Sequence, residues 1–474
     1  MSRDASIKKA TNRLHVEQNV NLVMQICLTL VAIIVVINSV IFSYIWISQE
    51  YLGNDTANAV LGTTYDPVGF SLPQVSKPAI SFGKNLNTQC PQLTGAGASC
   101  PHHWFGDFFA NFDVVQTAKP WSYGENPNFP ASNFLTKVLT IFPYRFAVTF
   151  YLTLMALALM FPIWYSSKKL QLNLRILITV VLGLMSYPAL FALDRGNTQG
   201  FVPLFLFTFA LLNLTEIPTA KFTKVLAPLL FAWKIHTWPA LIVSSRNKWK
   251  SNLRIFSIGL AVTTFCLLPW VRHTRDFAIG ISKTFLGMTS TASDPNLGIW
   301  RNQSLSGLFY TLHLKLLHRT LLLNWRISIT LGTAYAIYVS YLIVKRNYPM
   351  WIKIFLAGSI MQMSVPRGYG YGASYLIAVV AILIFESLSL NQIVAENSLQ
   401  IFKRGKRGFI VTLLLGFLLS LDFPTNPAYV NNIITAKNFI EPICTLALVM
   451  CLHQTYKSKK ELGNSKISKI SQKS

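Results

Sequence analysis

The sequence predicts an all-α integral membrane protein with about ten transmembrane helices. Of its 474 residues, 52% are hydrophobic and only 12% are charged, and the mean hydropathy is +0.42. A soluble core of this length needs far less apolar surface. The second observation is that apolar stretches of about 20 residues, each enough to cross a hydrocarbon layer roughly 30 Å thick, recur along the chain. They lie near 22–48, 144–166, 173–193, 198–214, 252–271, 326–345, 350–364, 373–388, 408–422 and 433–454.

The first of these stretches, at 22–48, follows a basic leader but is too long for a simple signal peptide, so we interpret it as an anchor. Two long polar loops interrupt the apolar stretches, at 49–143 and 272–325. The predicted parts are a tail at 1–21, a polytopic membrane domain at 22–454 and a basic tail at 455–474.

The first long loop contains an amphipathic segment. Its apolar side chains recur at helical spacing, which predicts a helix with one apolar face. A helix of this kind is typical of the membrane interface. The apolar positions are Phe105, Phe108, Phe109, Phe112 and Val115.

The formal net charge of +25 predicts the orientation in the membrane. Lysines and arginines occur in short clusters between apolar runs and form no single basic stripe, so nucleic acid is not the expected partner. The positive-inside rule accounts for the clusters if both tails are cytoplasmic and the loops at 49–143 and 272–325 are extracytoplasmic. The basic tail then faces anionic membrane lipids.

One segment needs a different topology. The loops at 215–224 and 246–254 are both basic, so the segment between them, 222–244, is expected to begin and end on the same side. We interpret it as a re-entrant hairpin whose tip, "KIHTWP", is interrupted by Lys234, His236 and Pro239. An ordinary span with a snorkelling lysine is the alternative, and it would invert everything downstream.

Cysteine and histidine usage gives little evidence of a cofactor. Cys90 and Cys100 share the first loop and are either disulfide-bonded or two free thiols. His102 and His103 are adjacent, but no acidic or cysteine cluster has metal-ligand spacing. The sequence also contains no P-loop and no dinucleotide fingerprint, so no metal and no cofactor are expected.

With this topology, polar residues from five separate segments face outward. The set combines carboxylates, cations that stay charged near neutral pH, and an apolar surround. A carboxylate can act as general base on a sugar hydroxyl, and Arg or Lys can hold a phosphate leaving group. The alternative for the adjacent Asp194 and Arg195 is a local ion pair at a helix end. The candidate site residues are Asp107, Asp113, Asp194, Arg195, Asn197, Lys234, His236, Arg301, Asn302, Arg367 and Tyr369.

At these residues the chain resembles the polytopic glycosyltransferases of the C superfamily, specifically family 87. That family comprises polyprenyl-phosphate-sugar-dependent mannosyl- and arabinofuranosyltransferases of bacterial envelopes. The resemblance covers most of residues 100–375 and lies in four ordered pieces: "GDFFANFDVVQTAKPWSYGENPNFP", "SYPALFALDRGNTQG", "FAWKIHTWPALIV" and "RNQSLSGLFYTL".

The resemblance implies roles for these residues. Asp107 would be the catalytic base that deprotonates the acceptor hydroxyl. Asp194, Arg195 and Asn197 would shape the sugar and acceptor pocket, and Lys234 would steady the departing phosphate together with Arg301 or Arg367. Many family members carry Ser-Pro-x-Ser-Trp with histidines near the eighth span. This chain has "SVPRGYGYGASY" there instead, with Arg367 and Tyr369, which bears on the donor sugar.

The predicted function is therefore transfer of one mannose- or arabinofuranose-like sugar from a polyprenyl-phosphate donor to a lipid-linked or cell-wall glycan. The predicted location is the bacterial plasma membrane, crossed many times, with the active site on the extracytoplasmic face. A lipid-linked glycan flippase or transporter is one alternative, although it predicts an internal repeat and a polar pathway to the cytoplasm. An O-antigen-type ligase is the other, and it would require a pyrophosphate donor.

Overall fold

The computed structural model is almost entirely helical: 85% of the described residues are in helices and none of them is in a strand. This confirms the all-α prediction for the part of the chain that is described. The structure describes residues 33, 106–116, 120–121, 128–186, 188–189, 192–193, 196–214, 220–243, 248–280, 282, 304–309, 312, 325–346, 348–365, 370–389 and 442–450.

Eleven helices are named here in chain order. They are α1 (Gly106–Val114), α2 (Pro130–Leu139), α3 (Tyr144–Ser166), α4 (Leu172–Gly183), α5 (Val202–Asn213), α6 (Lys221–Leu226), α7 (Leu229–Trp233), α8 (Trp249–Cys266), α9 (Trp325–Lys345), α10 (Met350–Met363) and α11 (Tyr375–Ser389). Short 3₁₀ segments lie at Thr198–Phe201, Ile235–Val243, Leu268–His273 and Gly370–Ser374.

Among the described residues, one helix is long and apolar enough to cross a membrane, the Phe146–Ser166 part of α3. A second is added if α8 and Leu268–Gly280, which bend by 74° at their junction, count as one broken span. Shorter apolar helices cover much of the other predicted stretches. They are Leu172–Gly183, Thr198–Asn213, Ile329–Lys345, Met350–Met363 and Gly372–Glu386.

Helix α3 has two apolar faces, one buried in the protein and one exposed. It begins directly after Pro143, which is common at a helix start because proline has no amide hydrogen to leave unpaired. The helix packs against α4, α5 and α11, and one of its faces, which includes Tyr151 and Met155, is buried. The opposite face exposes Phe146 and Leu157, at 51% and 53% of their surface. Exposed side chains this apolar fit contact with lipid better than contact with water.

Helix α10 lies at the centre of the helix assembly. All fourteen of its residues are buried, including Lys353 and Gln362. It packs against α9, α11 and the Ile235–Val243 segment. A helix that is apolar and buried all round is expected in the interior of a large helical core. The apolar stretch at 350–364 predicted this helix, but it did not predict that the helix is buried on every side.

The region predicted as a re-entrant hairpin is broken into short pieces. Helices α6 and α7 are separated at 227–228, and α7 ends at Trp233. The next residue, Lys234, has an extended backbone with φ −152° and ψ 141°, and the Ile235–Val243 segment follows directly. The predicted interruption at Lys234 is therefore present.

The amphipathic helix predicted in the first loop is α1, but its environment differs from the prediction. Phe108, Phe112 and Val115 are at most 3% exposed, so the apolar face is buried in protein rather than in lipid. The Phe108 ring lies 4.7 Å from the Tyr151 ring of α3. Helical spacing shows that a face is apolar, but not whether protein or lipid covers it.

The end of α5 is capped by a distant lysine. The ammonium group of Lys248 donates hydrogen bonds to the backbone oxygens of Leu212 and Leu214, at 2.8 and 3.0 Å. A cation is favourable at the negative end of a helix dipole, where backbone carbonyls have no partner within the helix. Asn252 adds a side-chain bond to Asn213 at 2.9 Å. These contacts join α5 to the start of α8.

Several sequence predictions lie outside the described residues. They include the Cys90 and Cys100 pair, the apolar stretch at 408–422, almost all of the one at 22–48, and the C-terminal tail.

Candidate functional site

Five of the eleven candidate residues belong to the described part of the chain. Asp107, Asn197, Lys234 and His236 have described side chains, whereas only the backbone of Asp113 is described. Asp113 lies on α1 six residues after Asp107, a spacing that puts the two on different sides of a helix. The other six lie outside the described residues: Asp194, Arg195, Arg301, Asn302, Arg367 and Tyr369.

Asp107, in the first turn of α1, is held by Asn197. The side-chain amide of Asn197 donates a hydrogen bond of 2.6 Å to Oδ2 of Asp107. The two residues are 90 positions apart in the sequence. A bond in which the acceptor is charged is roughly twice as strong as one between neutral groups. This contact fixes the position of the Asp107 carboxylate.

The orientation of Asn197 is itself fixed by the backbone. Its Oδ1 accepts a hydrogen bond of 2.9 Å from the amide of Gln199, which caps the Thr198–Phe201 turn. Gly196, with φ of 61°, makes the preceding left-handed step that a side chain would disfavour. With the amide oxygen engaged, the amide nitrogen must face Asp107. The turn formed by "RGNTQG" thus presents the side-chain amide of Asn197 as a hydrogen-bond donor to Asp107.

Lys234 brings a cation to the same place. Its side chain is only 6% exposed and interacts electrostatically with the charge of Asp107. A buried charge is costly unless an opposite charge or hydrogen bonds offset it. The extended backbone of Lys234 lies directly after α7. Lys234 is therefore within electrostatic range of Asp107.

Tyr151 adds a phenol from α3. It is 1% exposed and also within range of the Asp107 charge. Its ring stacks at a tilt on Phe108 and meets Phe201 edge-on at 5.4 Å. One part of the chain therefore contacts the Asp107 carboxylate through Asn197, and two others place Tyr151 and Lys234 within range of its charge.

His236 and Gln199 join the hairpin tip to the Thr198–Phe201 turn. Nε2 of His236 lies 3.0 Å from Nε2 and 3.3 Å from Oε1 of Gln199, so the tautomer of the imidazole decides which bond forms. Next to them, the indole of Trp233 donates a 2.7 Å bond to the backbone oxygen of Thr198. The broken segment and the turn are thus fixed to one another on both sides of Lys234.

The turn is also tied to the loop before α2. The hydroxyl of Thr198 donates to Oδ1 of Asn128 at 3.0 Å. The backbone oxygen of Asn128 accepts from the indole of Trp121 at 3.1 Å. Hydrogen bonds therefore join the turn that contains Asn197 to Trp121, through Asn128.

A second polar layer lies one turn further along α1. Asn111 follows Asp107 by four residues, so both share a face of the helix, and its amide donates to the Thr136 hydroxyl at 2.8 Å. Asn133, one turn before Thr136 on α2, is fully buried, and neither its amide oxygen nor its nitrogen has a partner among the described residues. The same part of the chain offers no partner to the oxygen of Asn111. Each such atom costs free energy that the folded chain must offset.

Sequence reasoning missed four residues of this arrangement. Tyr151 and Trp233 lie within apolar runs, where aromatic side chains carry no sign of a polar role. Gln199 and Asn128 are uncharged and sit in turns, where such residues are common. The one available signal was the closeness of Gln199 to Asn197 in the "NTQG" turn.

The cluster defined by Asp107, Tyr151, Asn197, Lys234 and His236 combines one carboxylate, one ammonium group and several fixed donors. Asp107 is partly buried, whereas Tyr151, Asn197 and Lys234 are almost completely buried. Such an arrangement can take a proton from a hydroxyl and stabilise negative charge on a neighbouring oxygen. In comparisons with family models, curated proteins and solved structures, nothing matches this chain.

Proposed function

We propose that the chain is a multi-pass membrane glycosyltransferase of the C-superfamily kind. Its membrane domain has about ten transmembrane helices and a re-entrant hairpin at 222–244. It moves one mannose- or arabinofuranose-like sugar from a polyprenyl phosphate to a lipid-linked or cell-wall glycan. It acts at the extracytoplasmic face of a bacterial plasma membrane, and needs no metal or other cofactor.

The observation that carries this proposal is the Asp107 cluster. A carboxylate fixed by Asn197, with an ammonium group within electrostatic range, suits a reaction that removes a proton at one atom and releases negative charge at another. A structural ion pair would use the same two charges. It would not require a capped asparagine aimed at the carboxylate from 90 residues away.

In the proposed reaction, Asp107 accepts the proton of the acceptor hydroxyl as that oxygen bonds to the anomeric carbon. The bond between the anomeric carbon and the phosphate oxygen breaks, and its electron pair leaves with the phosphate. The Lys234 ammonium group stabilises the charge on the departing phosphate, together with Arg301 or Arg367. Single displacement inverts the configuration at the anomeric carbon. Asp194, Arg195 and Asn302 contribute to the pocket.

The test is sugar transfer by the purified chain in lipid vesicles. A panel of radiolabelled polyprenyl-phosphate sugars is offered with membrane glycolipid acceptors, and wild type is compared with Asp107→Asn. We expect wild type to transfer label from one donor and Asp107→Asn to lose at least 100-fold of that rate, because an amide cannot accept the proton. Tyr335→Phe, a buried substitution in α9, is the matched control that should retain activity.

Two outcomes would contradict the proposal. Transfer by Asp107→Asn at the wild-type rate would remove the base, and transfer only from pyrophosphate-linked glycans would favour a ligase. Orientation is tested separately with a cysteine introduced beside Arg195. It should react with an impermeant thiol reagent from the extracytoplasmic side.

A further inference from the structure

The segment Leu268–Gly280, here called the bent segment, has one face buried in protein. Its Trp270 and Phe277 rings contact Trp121 edge-on, with ring centres 5.3 and 5.0 Å apart. At its end, Gly280 lies so close to Trp121 that a Cβ atom there would be 2.5 Å from the Trp121 backbone oxygen. The bent segment is therefore firmly placed rather than loosely attached.

The other face of the bent segment is exposed and mixes apolar with basic side chains. Leu268, Val271 and Ile279 expose 55%, 58% and 40% of their surface. Arg272 and Arg275 are exposed between them. The two arginines outnumber the one acid of the bent segment, Asp276, whose Oδ2 lies 3.0 Å from Nδ1 of His273. The exposed face is thus apolar and positively charged at once.

The direction of the bent segment follows from α8. This helix has 18 residues and is about 27 Å long, close to the hydrocarbon thickness of a bilayer. Its exposed side includes Leu260 and Phe265, and the apolar surface continues into Leu268. The chain then bends by 74°. If α8 crosses the membrane, the bent segment runs nearly parallel to the membrane surface.

We infer that the bent segment lies in the headgroup layer of the membrane and binds the phosphates of anionic lipids through Arg272 and Arg275. The apolar side chains enter the edge of the hydrocarbon layer, as in other interfacial helices. The arginine stems follow that apolar surface while the guanidinium groups reach the phosphates, which they bind bidentately. The inference rests on the membrane insertion of the proposed function but on none of its chemistry.

The same contacts connect this surface to the Asp107 cluster. Trp121, which packs on the bent segment, donates to the backbone of Asn128, and Asn128 accepts from Thr198 in the turn that holds Asn197. The buried face of the bent segment is therefore joined, through Trp121 and Asn128, to the turn that contains Asn197.

Membrane depth is the first measurement. Single cysteines replace Val271 and Ile279 in a full-length chain whose six native cysteines are changed to alanine, and each carries a nitroxide label. Collision rates with oxygen and with a water-soluble nickel chelate give the label depths in vesicles. On an upright helix, eight residues correspond to about 12 Å of depth, whereas a bend of 74° reduces the difference to about 3 Å. A label at Leu260 in α8 is the reference for greater depth.

We expect both labels within the headgroup layer and at nearly the same depth. A difference near 12 Å, or two labels exposed to bulk water, would overturn the inference. The result does not depend on whether the chain transfers sugar, so failure of the inference and failure of the proposed reaction are distinguishable.

Lipid charge is the second measurement. A fluorophore on Thr274→Cys reports quenching by headgroup nitroxides in vesicles that contain either anionic phosphatidylserine or zwitterionic phosphatidylcholine as the labelled lipid. We expect at least twofold stronger quenching by the anionic lipid. The double variant Arg272→Gln/Arg275→Gln should lose that preference, and Arg272→Lys/Arg275→Lys should retain it. Equal quenching by both lipids in the chain that keeps Arg272 and Arg275 would overturn the inference that these arginines bind lipid phosphates.

Discussion

The bond from Asn197 to Asp107 leads to a prediction that separates positioning from folding. Asn197 makes two side-chain bonds, one to the Asp107 carboxylate at 2.6 Å and one that caps the Thr198–Phe201 turn at 2.9 Å. Asn197→Ser retains an oxygen that can accept the capping bond, because serine is as good a cap as asparagine. It is too short to reach Asp107. Asn197→Ala removes both bonds.

The expected magnitudes differ for the two bonds. A hydrogen bond to a charged group contributes about 1.5–3 kcal/mol, which corresponds to a roughly 10- to 150-fold decrease in catalytic rate if it is needed to place the base. The capping bond contributes about 1 kcal/mol to the free energy of unfolding. Both variants should therefore lose activity to a similar extent. Both also lose the stability that the bond to Asp107 contributes, and Asn197→Ala should lose about 1 kcal/mol more than Asn197→Ser, because it also lacks the capping bond.

Two assays measure these effects. Initial rates of sugar transfer give kcat and KM, and the loss is expected in kcat because Asn197 acts on the base rather than on bound substrate. Thermal unfolding in detergent micelles gives the stability. A rate for Asn197→Ser within threefold of wild type would refute the positioning role. A loss of activity that only parallels the loss of stability would indicate a purely structural residue.

Two further predictions concern stability and do not require an activity assay. Asn133→Leu should raise the free energy of unfolding by about 2 kcal/mol, because it replaces a fully buried amide, which has no partner in the described part of the chain, by an apolar group of similar size. Thr179→Val removes one hydroxyl that has no partner among the described residues, and it should raise the free energy of unfolding by about 1 kcal/mol. A decrease in the free energy of unfolding of either variant would show that the polar group is hydrogen-bonded after all. Lys248→Met should lower it by about 2 kcal/mol through loss of the two capping bonds on α5, and the exposed Lys250→Met should change it little. Equal thermal unfolding midpoints for the two lysine variants would contradict the capping role.

The positions of the described helices could be predicted from the sequence because apolar runs of sufficient length have few other structures available. The stretches predicted at 326–345 and 350–364 are the helices Trp325–Lys345 and Met350–Met363. Their environment could not be predicted. Helix α10 is buried on every side and α3 on only one, although both are uniformly apolar. An apolar side chain is equally compatible with lipid and with a protein interior.

The sequence predicted residues of the candidate site only where a residue was charged within an apolar run or stood in a turn. Lys234 stood out because a lysine in an apolar run is rare and costly. Asn197 was among the predicted site residues, but nothing in the sequence showed that its amide nitrogen binds Asp107 while its amide oxygen caps a turn. Tyr151 could not be selected, because its position near Asp107 depends on the packing of α1 against α3.

The break at Lys234 explains why this site needs an irregular backbone. In a continuous helix, the Lys234 side chain would follow the direction set by its turn, and the backbone oxygens of α7 would all be occupied. The break leaves the oxygen of Leu230 to accept from the Thr237 hydroxyl at 2.5 Å and that of Phe231 to accept from the Trp238 indole at 3.1 Å. Side chains thus replace the lost backbone bonds, as is required where a helix is interrupted in an apolar setting. Two backbone oxygens of α7 are therefore paired with side chains that follow the break, so the chain can be interrupted at Lys234 without leaving these two groups unpaired.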